Sequence, residues 1–556
     1  MHLHRRLVLF TASASVLAVA AACGGGSGGG GGSNGERDDV TGVVNGTLPA
    51  DGPAEDGGLM TISDPSDAPT LDGMKSPSAY THASISGIVY SKLLEFKADR
   101  ETPYGSMGLR GDLAETWKRS DDGLTWTFNL HKNVKWQNVA PVNGRTFTSA
   151  DVACTVNRIK TLPGVQKNLM DVVDRVETPD DNTVVFQLNT PYGAFDETVA
   201  SFYMEIYPCE GTRGEFDLAQ TAIGTGPFIL QKWERKVQRT YVKNPTYFVA
   251  GKPHLDQVNV LIMSDPASLL AAFRTGQLDA MAPNDQNYAS LISTNPDAVV
   301  REQLGLTVNQ IMFNAAKEPF DDYRVRKAIA MAWDREGMGK TFYASSTFAL
   351  SGPFPSTLFG GMTPEEAQKA IPYDPEAAKK LLAEAGFPNG FSAEMLTTDA
   401  YGPAFVNQAQ WVQQDLAKIG VKVELKILDY ATYYSTYQKQ DYAIGWGLGT
   451  GFLTTDEWLQ SLYTSNGPRN WFGTKDATLD SMIKAQQSEL DRDKREDELH
   501  KINDYILENV IPEFIGFSLG GLTATQTWVH NYYAHPQYAR PFLADVWLDS
   551  NAPGRK

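Results

Sequence analysis

The stretch TVNQIMFNAAKEPFDDYRVRKAIAMAWDR, Thr307–Arg335, decides the fold. It opens as an apolar strand through Val308, Ile311, Met312 and Phe313. Pro319 removes a backbone donor and stops the strand, and Asp321 or Asp322 stands where the next helix needs an N-cap. In that helix Val325, Ala328, Ile329, Ala332 and Trp333 recur at i, i+3, i+4, i+7 and i+8, which makes one apolar face. Periodicity alone describes a core strand, a turn and a core helix.

Working outward, 556 residues are too many for one ordinary core, so two or more domains are expected. A hydrophobic content of 42%, with 11 Trp, 23 Tyr and 25 Phe, is globular. The net charge of −17 argues against a nucleic-acid binder, which carries a basic face. Residues 1–22 read as a signal peptide: Arg5 and Arg6, then a short apolar run from Leu7 to Ala22. The run ends in Leu17-Ala18-Val19-Ala20-Ala21-Ala22-Cys23, which resembles a bacterial lipobox with Ala20 in place of the usual Leu. The resemblance implies a diacylglyceryl group on the Cys23 sulfur and anchoring to the cell membrane. Plain secretion with a free thiol is the alternative. Residues 23–57, rich in Gly and Ser, are expected to be a flexible tether. Cys154 and Cys209 then remain, in a compartment that permits a disulfide, though their spacing leaves the pairing open.

The wording of the opening stretch is narrower than its pattern. FNAAKEPFDDYRVRKAIAMAWDR resembles the FN-x-x-x-x-PF-D-D-x-R-V-R-x-A-I-x-x-A-x-D-R segment of the extracytoplasmic solute-binding proteins of ABC importers, family 5, the oligopeptide/dipeptide-binding group. Further matches are DLAETWKRSDDGLTWTF from Asp112, AIGTGPF from Ala222 and YDPEAAKKLLAEAGF from Tyr373. The resemblance covers 58–545. It implies an α/β fold of the two-lobed periplasmic-binding-protein type (type II), in the large form with an extra subdomain in lobe one. The expected plan is lobe I over 58–308, including the subdomain at about 96–220, lobe II over 309–517, and a return to lobe I over 518–556. Residue chemistry agrees with that plan. Asp374, Pro375 and Gly386 frame a helix as N-cap, N1 and C′. VKVELKIL alternates as a strand with one wet face.

What the resemblance implies for the site is residue-specific. The turn Asp67-Ala68-Pro69 would present backbone to a ligand, and Asn284 would face the cleft. Tyr401 and Tyr430 would stack on the solute. Trp446, followed by Gly447, Leu448 and Gly449, occupies the place where peptide-binding relatives have a pocket Trp and an Asp that pairs with the peptide amino group. That Asp is missing here, so a free amino terminus needs another acid, such as Asp67. The implied function is capture of an oligopeptide or dipeptide and its delivery to a membrane permease driven by a separate ATPase, by a monomeric receptor without cofactor or catalysis. An oligosaccharide or other non-peptide solute is the alternative. A secreted serine hydrolase is a remote one, because Gly516-Phe517-Ser518-Leu519-Gly520 matches G-x-S-x-G but precedes a poor helix. No H-E-x-x-H or C-x-x-C pattern points to a metal.

Overall fold

The computed structural model describes residues 43–50, 52–102, 108–283, 285–343, 348–449, 454–533 and 542–555. The signal peptide, Cys23, residues 24–42 and Asn284 lie outside them. Ten strands lay out the main sheet: β1 (Leu59–Asp64), β2 (Phe228–Glu234), β3 (Gln238–Lys243), β4 (Gln257–Ile262), β5 (Ala280–Met281), β6 (Val299–Phe313), β7 (Ser392–Thr398), β8 (Lys422–Leu428), β9 (Ile444–Gly449) and β10 (Glu513–Thr525). Their order across the sheet is β8–β7–β9–β6–β10–β5–β1–β4–β3–β2. The long strands β6 and β10 run antiparallel through both lobes, so one sheet is common to the two.

The ladder between β6 and β10 shifts register twice, between Leu304 and Thr307 and again between Asn309 and Gln310. Leu304 pairs with Gly520 and Thr307 with Leu519, which leaves Gly305 and Leu306 as two extra residues on β6. A break of this kind locally frees and bends the strand. The first break falls a few residues to the lobe I side of the crossings expected at 308/309 and 517/518.

The opening stretch becomes the end of β6 and a helix at Tyr323–Ala332. Asp322 is the N-cap, its carboxylate accepting from the Arg324 amide at 2.8 Å. The helix's apolar face meets the sheet: Trp333 is 1% exposed and packs edge-on against Trp446 at 5.3 Å. Two buried arginines of the stretch, Arg326 in this helix and Arg335 just after it, reach away from it. Arg326 donates to the carbonyls of Val510 and Ile511, just ahead of β10, and Arg335 to those of Ala367 and Ile371. The stretch therefore both leads the chain into lobe II and fastens its way back.

Between β1 and β2 an antiparallel four-stranded sheet joins Ala114–Arg119, Thr125–Leu130, Thr183–Leu188 and Val173–Asp180. Thr148 and Asp151 form a capping box on the helix Ser149–Thr161. Cys154, in that helix, is bonded to Cys209, 55 residues on. Closing a loop of that length contributes roughly 2–4 kcal/mol. Alkylation of the unfolded chain is expected to add two more groups after reduction than before it, and reduction to lower the melting temperature. Two alkyl groups added without a reductant would show that the bond is not formed.

The last part of the segment expected to be a tether carries contacts to lobe I. Val43–Asn45 pairs with Arg301 and Val300 of β6, and Asn45 Nδ2 donates to the carbonyls of Pro296 and Ala298. Further on, the Gly57 amide bonds to His254 O and Arg555 reaches the Asp56 carbonyl. The β-branched pair Val43-Val44 adds a strand to an open edge, so residues 43–50 and 52–57 pack on lobe I.

Candidate ligand cleft

Strand direction alone locates the cleft. β1, β4 and β5 are mutually parallel, and β5 and β6 both run antiparallel to β10. All four strands therefore point from lobe I towards lobe II. In lobe II, β7, β8 and β9 are parallel to one another and antiparallel to β6, so they point back. The carboxyl ends of the parallel strands of both lobes face each other across the break in β6, and in open α/β sheets ligands bind at such ends. Asp64 closes β1 on one side. On the other, Tyr401 follows β7, Tyr430 follows β8, and Gly449 ends β9. The part of β6 between the two edges, about six residues, spans roughly 20 Å.

On the lobe I edge the polar atoms are already engaged. Asp64 pairs with Arg239, which is fully buried. Asp67 accepts from Trp233 Nε1 at 3.0 Å, from the Lys236 amide at 2.9 Å and from its own neighbour Ala68 N at 2.9 Å. The carbonyls of Ala68 and Pro69 both accept from Arg235 Nη1, each at 3.2 Å, and that guanidinium lies over the Trp233 ring. The turn at Asp67-Ala68-Pro69 is thus held by its own lobe. Asp67 is not available to stand in for the missing acid, because its oxygens serve donors from β2 and from the turn that joins it to β3.

The lobe II edge is aromatic. Tyr401 and Tyr430 are 43% and 47% exposed, and their rings lie 5.9 Å apart. Partial burial and the neighbouring Tyr430 raise the Tyr401 hydroxyl pKa above its usual value. From Tyr430 the ladder continues to Tyr434, stacked at 5.8 Å, and to Trp471, edge-on at 5.4 Å. Tyr434 and Trp471 border a cavity of about 720 Å³ between lobe II and the extra subdomain, which adds Asn168, Thr190 and Tyr192 to its wall.

On β9 the structure corrects the expected pocket Trp. Trp446 is fully buried between Trp333 and Phe405, and Leu448 packs on the same core. Alternation sends residues 444, 446 and 448 to that face. Gly445, Gly447 and Gly449 take the opposite one, towards Met312, Tyr433 and Gln310 of the cleft side. A Cβ at Gly447 would meet Tyr433 Oη at 2.6 Å, so side chains already fill the space above this strand.

Two polar residues on this second face escaped the sequence reading. Gln310 is 2% exposed on β6, and Glu513 is 2% exposed at the start of β10. Glu513 Oε1 lies 3.0 Å from Tyr463 Oη, and burial pushes its carboxyl up to about 8. The signal was present for Gln310: it falls between Val308 and Met312 in the alternation of a strand, a polar residue at an inward position.

The nucleophile motif has no catalytic setting. Ser518 is fully buried within β10, 2.7 Å from Ser351 Oγ. Gly516 is small because Trp333 lies 2.1 Å from where its Cβ would be. His530 stacks on Trp547 and faces Asp549.

Two lobes, two crossing strands and an aromatic cleft define a receptor for a small solute. Comparison with known proteins narrows the class. The sequence pattern of bacterial extracellular solute-binding proteins, family 5 (middle part), matches residues 108–470. The chain is 29% identical over 453 residues to heme-binding protein A of Haemophilus influenzae, covering 76% of this chain and 80% of that one. It is 30% identical over 378 residues to di/tripeptide-binding protein 2 of Pseudomonas aeruginosa, covering 64% and 69%. The fold superposes with a TM-score of 0.73 on the periplasmic binding protein DppA of Helicobacter pylori in complex with the peptide STSA, at 23% identity over 89% of this chain and 99% of that one. This chain belongs to family 5 of the bacterial extracellular solute-binding proteins. It is an extracytoplasmic transport receptor that works with an ABC permease and its ATPase, and is not an enzyme.

Proposed function

We propose that the protein captures an oligopeptide or dipeptide outside the cytoplasm and hands it to its permease, tethered to the membrane through a lipid on Cys23. The observation that carries the ligand class is the facing pair of strand ends with an aromatic rim, in a chain whose relatives include a di/tripeptide-binding protein. In this reading the lobes close over the solute by bending at Gly305–Leu306 of β6 and the opposite Leu519–Gly520 of β10. Lobe I then extends to 308, lobe II from 309 to 517, and 518–556 complete lobe I. A non-peptide solute, an oligosaccharide in particular, is the second reading; the stacked Tyr430 and Tyr434 favour it, since sugars bind on aromatic faces.

Native mass spectrometry of the protein purified gently from its host, followed by release of the bound solute, tests both. Peptides differing by residue masses are expected. A hexose ladder would replace the peptide reading and leave the receptor. Failure of every released fraction to compact the protein in solution scattering would remove the closing receptor itself.

A further inference from the structure

Gln310 lies on β6 opposite Gly447 of β9. Its side chain is almost completely enclosed, and its Oε1 has no hydrogen-bond partner among the described residues. That oxygen would lie 2.7 Å from a Cβ placed at Gly449, and Val308 Cγ2 would lie 2.8 Å from it. Gly449 is the last residue of β9, at the carboxyl edge that faces lobe I, and it pairs with Val308. The amide therefore reaches the lip of the cleft through a gap that only a glycine leaves. The neighbouring buried amide, Asn309, also has an oxygen without a partner among the described residues, but its nitrogen is engaged within lobe II. Asn309, on the opposite face, donates to Gln408 Oε1 at 3.0 Å and to Tyr343 Oη at 3.2 Å. A buried amide oxygen left unpaired costs about as much as a lost hydrogen bond, so its presence at Gln310 asks for a partner that arrives later.

We infer that Gln310 reads the solute: its amide meets an uncharged hydrogen-bonding group at the solute's end, where peptide-binding relatives use an ion pair. This rests on the solute-receptor reading above. The surroundings decide for an uncharged group. A carboxyl on the same face of lobe II is Glu513, boxed in by the tyrosines Tyr437, Tyr442 and Tyr463, with no cation beside it among the described residues. Asp64 and Asp67 across the cleft face Arg239. Asp429 caps the helix Tyr430–Gln438, and Asp399 in the loop after β7 is exposed, where water screens an ion pair. A primary amide both donates and accepts, which matches an acyl-blocked peptide end or a sugar hydroxyl. An ammonium brought against it would be buried without a counter-charge.

The full chain, stripped of its resident solute, is to be challenged with three probes and read by native mass spectrometry: a random tripeptide pool, the same pool N-acetylated, and a maltodextrin ladder. The wild type is expected to retain the acetylated pool at least tenfold better than the free pool. Gln310→Leu should lower retention at least tenfold while the melting temperature holds or rises, because an unpaired buried amide has been removed. Gln310→Asn, which withdraws the amide by one methylene, should give the same loss and covers the case of a misfolded Leu variant. Gln310→Glu should turn the preference at least tenfold towards free amines. Equal or better retention of the free pool by the wild type overturns the inference and leaves a peptide receptor. Retention of maltodextrin alone, lost in Gln310→Leu, keeps the inference and ends the peptide reading. Equal retention by wild type and both amide variants overturns it, and retention of none of the three probes counts against both.

Discussion

Glu513→Gln is expected to stabilise the protein by about 3 kcal/mol at pH 7 and by nearly 5 above pH 9, and to change nothing at pH 4. Glu513 is enclosed at the foot of β10, and burial raises its carboxyl from the usual 4.5 to about 8. Its one hydrogen-bonding neighbour gives only partial relief. Tyr463 has a single hydroxyl proton, and its oxygen lies 2.7 Å from the Pro353 carbonyl and 3.0 Å from Glu513. A carbonyl only accepts, so the proton is contested, and the carboxyl is best served by keeping its own. The sign follows. A carboxyl whose folded pKa lies above its unfolded one favours the folded state fully below pH 4.5. That contribution is lost progressively as the pH rises to about 8. Gln keeps the shape and the donor and has no proton to lose. Urea titrations of both proteins at pH 4, 7 and 9 decide it. Parallel stability–pH curves would mean that Glu513 finds an ionised partner which the structure does not show.

Much of this architecture was legible because it rests on local chemistry. The N-caps Asp322 and Asp374 accept from the amides that follow them, as the spelling of those helices requires. The fold class and the family could be read from the stretch around Phe313–Arg335. Placement of the site was legible in part. Tyr401 and Tyr430 come together because each follows the carboxyl end of a parallel strand, and a β-α-β spelling predicts that. Trp446 was misplaced because alternation gives the face of a residue only relative to its neighbours. Which face of β9 is the core depends on Trp333, more than a hundred residues away in sequence. Asp67 looked free for the same reason: its partners Trp233 and Lys236 come from a distant hairpin. Residues 43–50 and 52–57 count as linker by composition alone, and the partners that hold them, Val300 and Arg301 of β6 and His254, lie some two hundred residues or more along the chain.

Arg326→Met is expected to cost roughly 4–5 kcal/mol and to loosen the chain where it turns back towards lobe I. Arg326 is 5% exposed, and burial lowers its pKa to about 10, so it remains charged at neutral pH. Among the described residues it has no carboxylate at contact distance and is satisfied by carbonyls: Nε donates to Val510 O at 2.9 Å and Ile511 O at 3.0 Å, and Nη1 to Phe320 O at 2.6 Å and Asp321 O at 3.1 Å. One side chain thus ties the turn before its own helix to the residues that precede β10. The tie has work to do, because Ile511 sits at φ +38°, a left-handed conformation that a β-branched residue adopts only under constraint. Met fills the volume and supplies no donor, which leaves four carbonyl groups to share what little water can reach them. Arg326→Lys restores the charge with a single point donor and is expected to recover less than half of the loss, since the clamp depends on a planar fork. Hydrogen exchange at Ile511 and Glu513 should quicken in Arg326→Met well beyond the global change in stability, while the strands of lobe I far from the crossing keep their protection. A loss below 1 kcal/mol with unchanged exchange at those amides would mean that packing of the opening helix alone holds the return strand, and that Arg326 serves something other than the crossing.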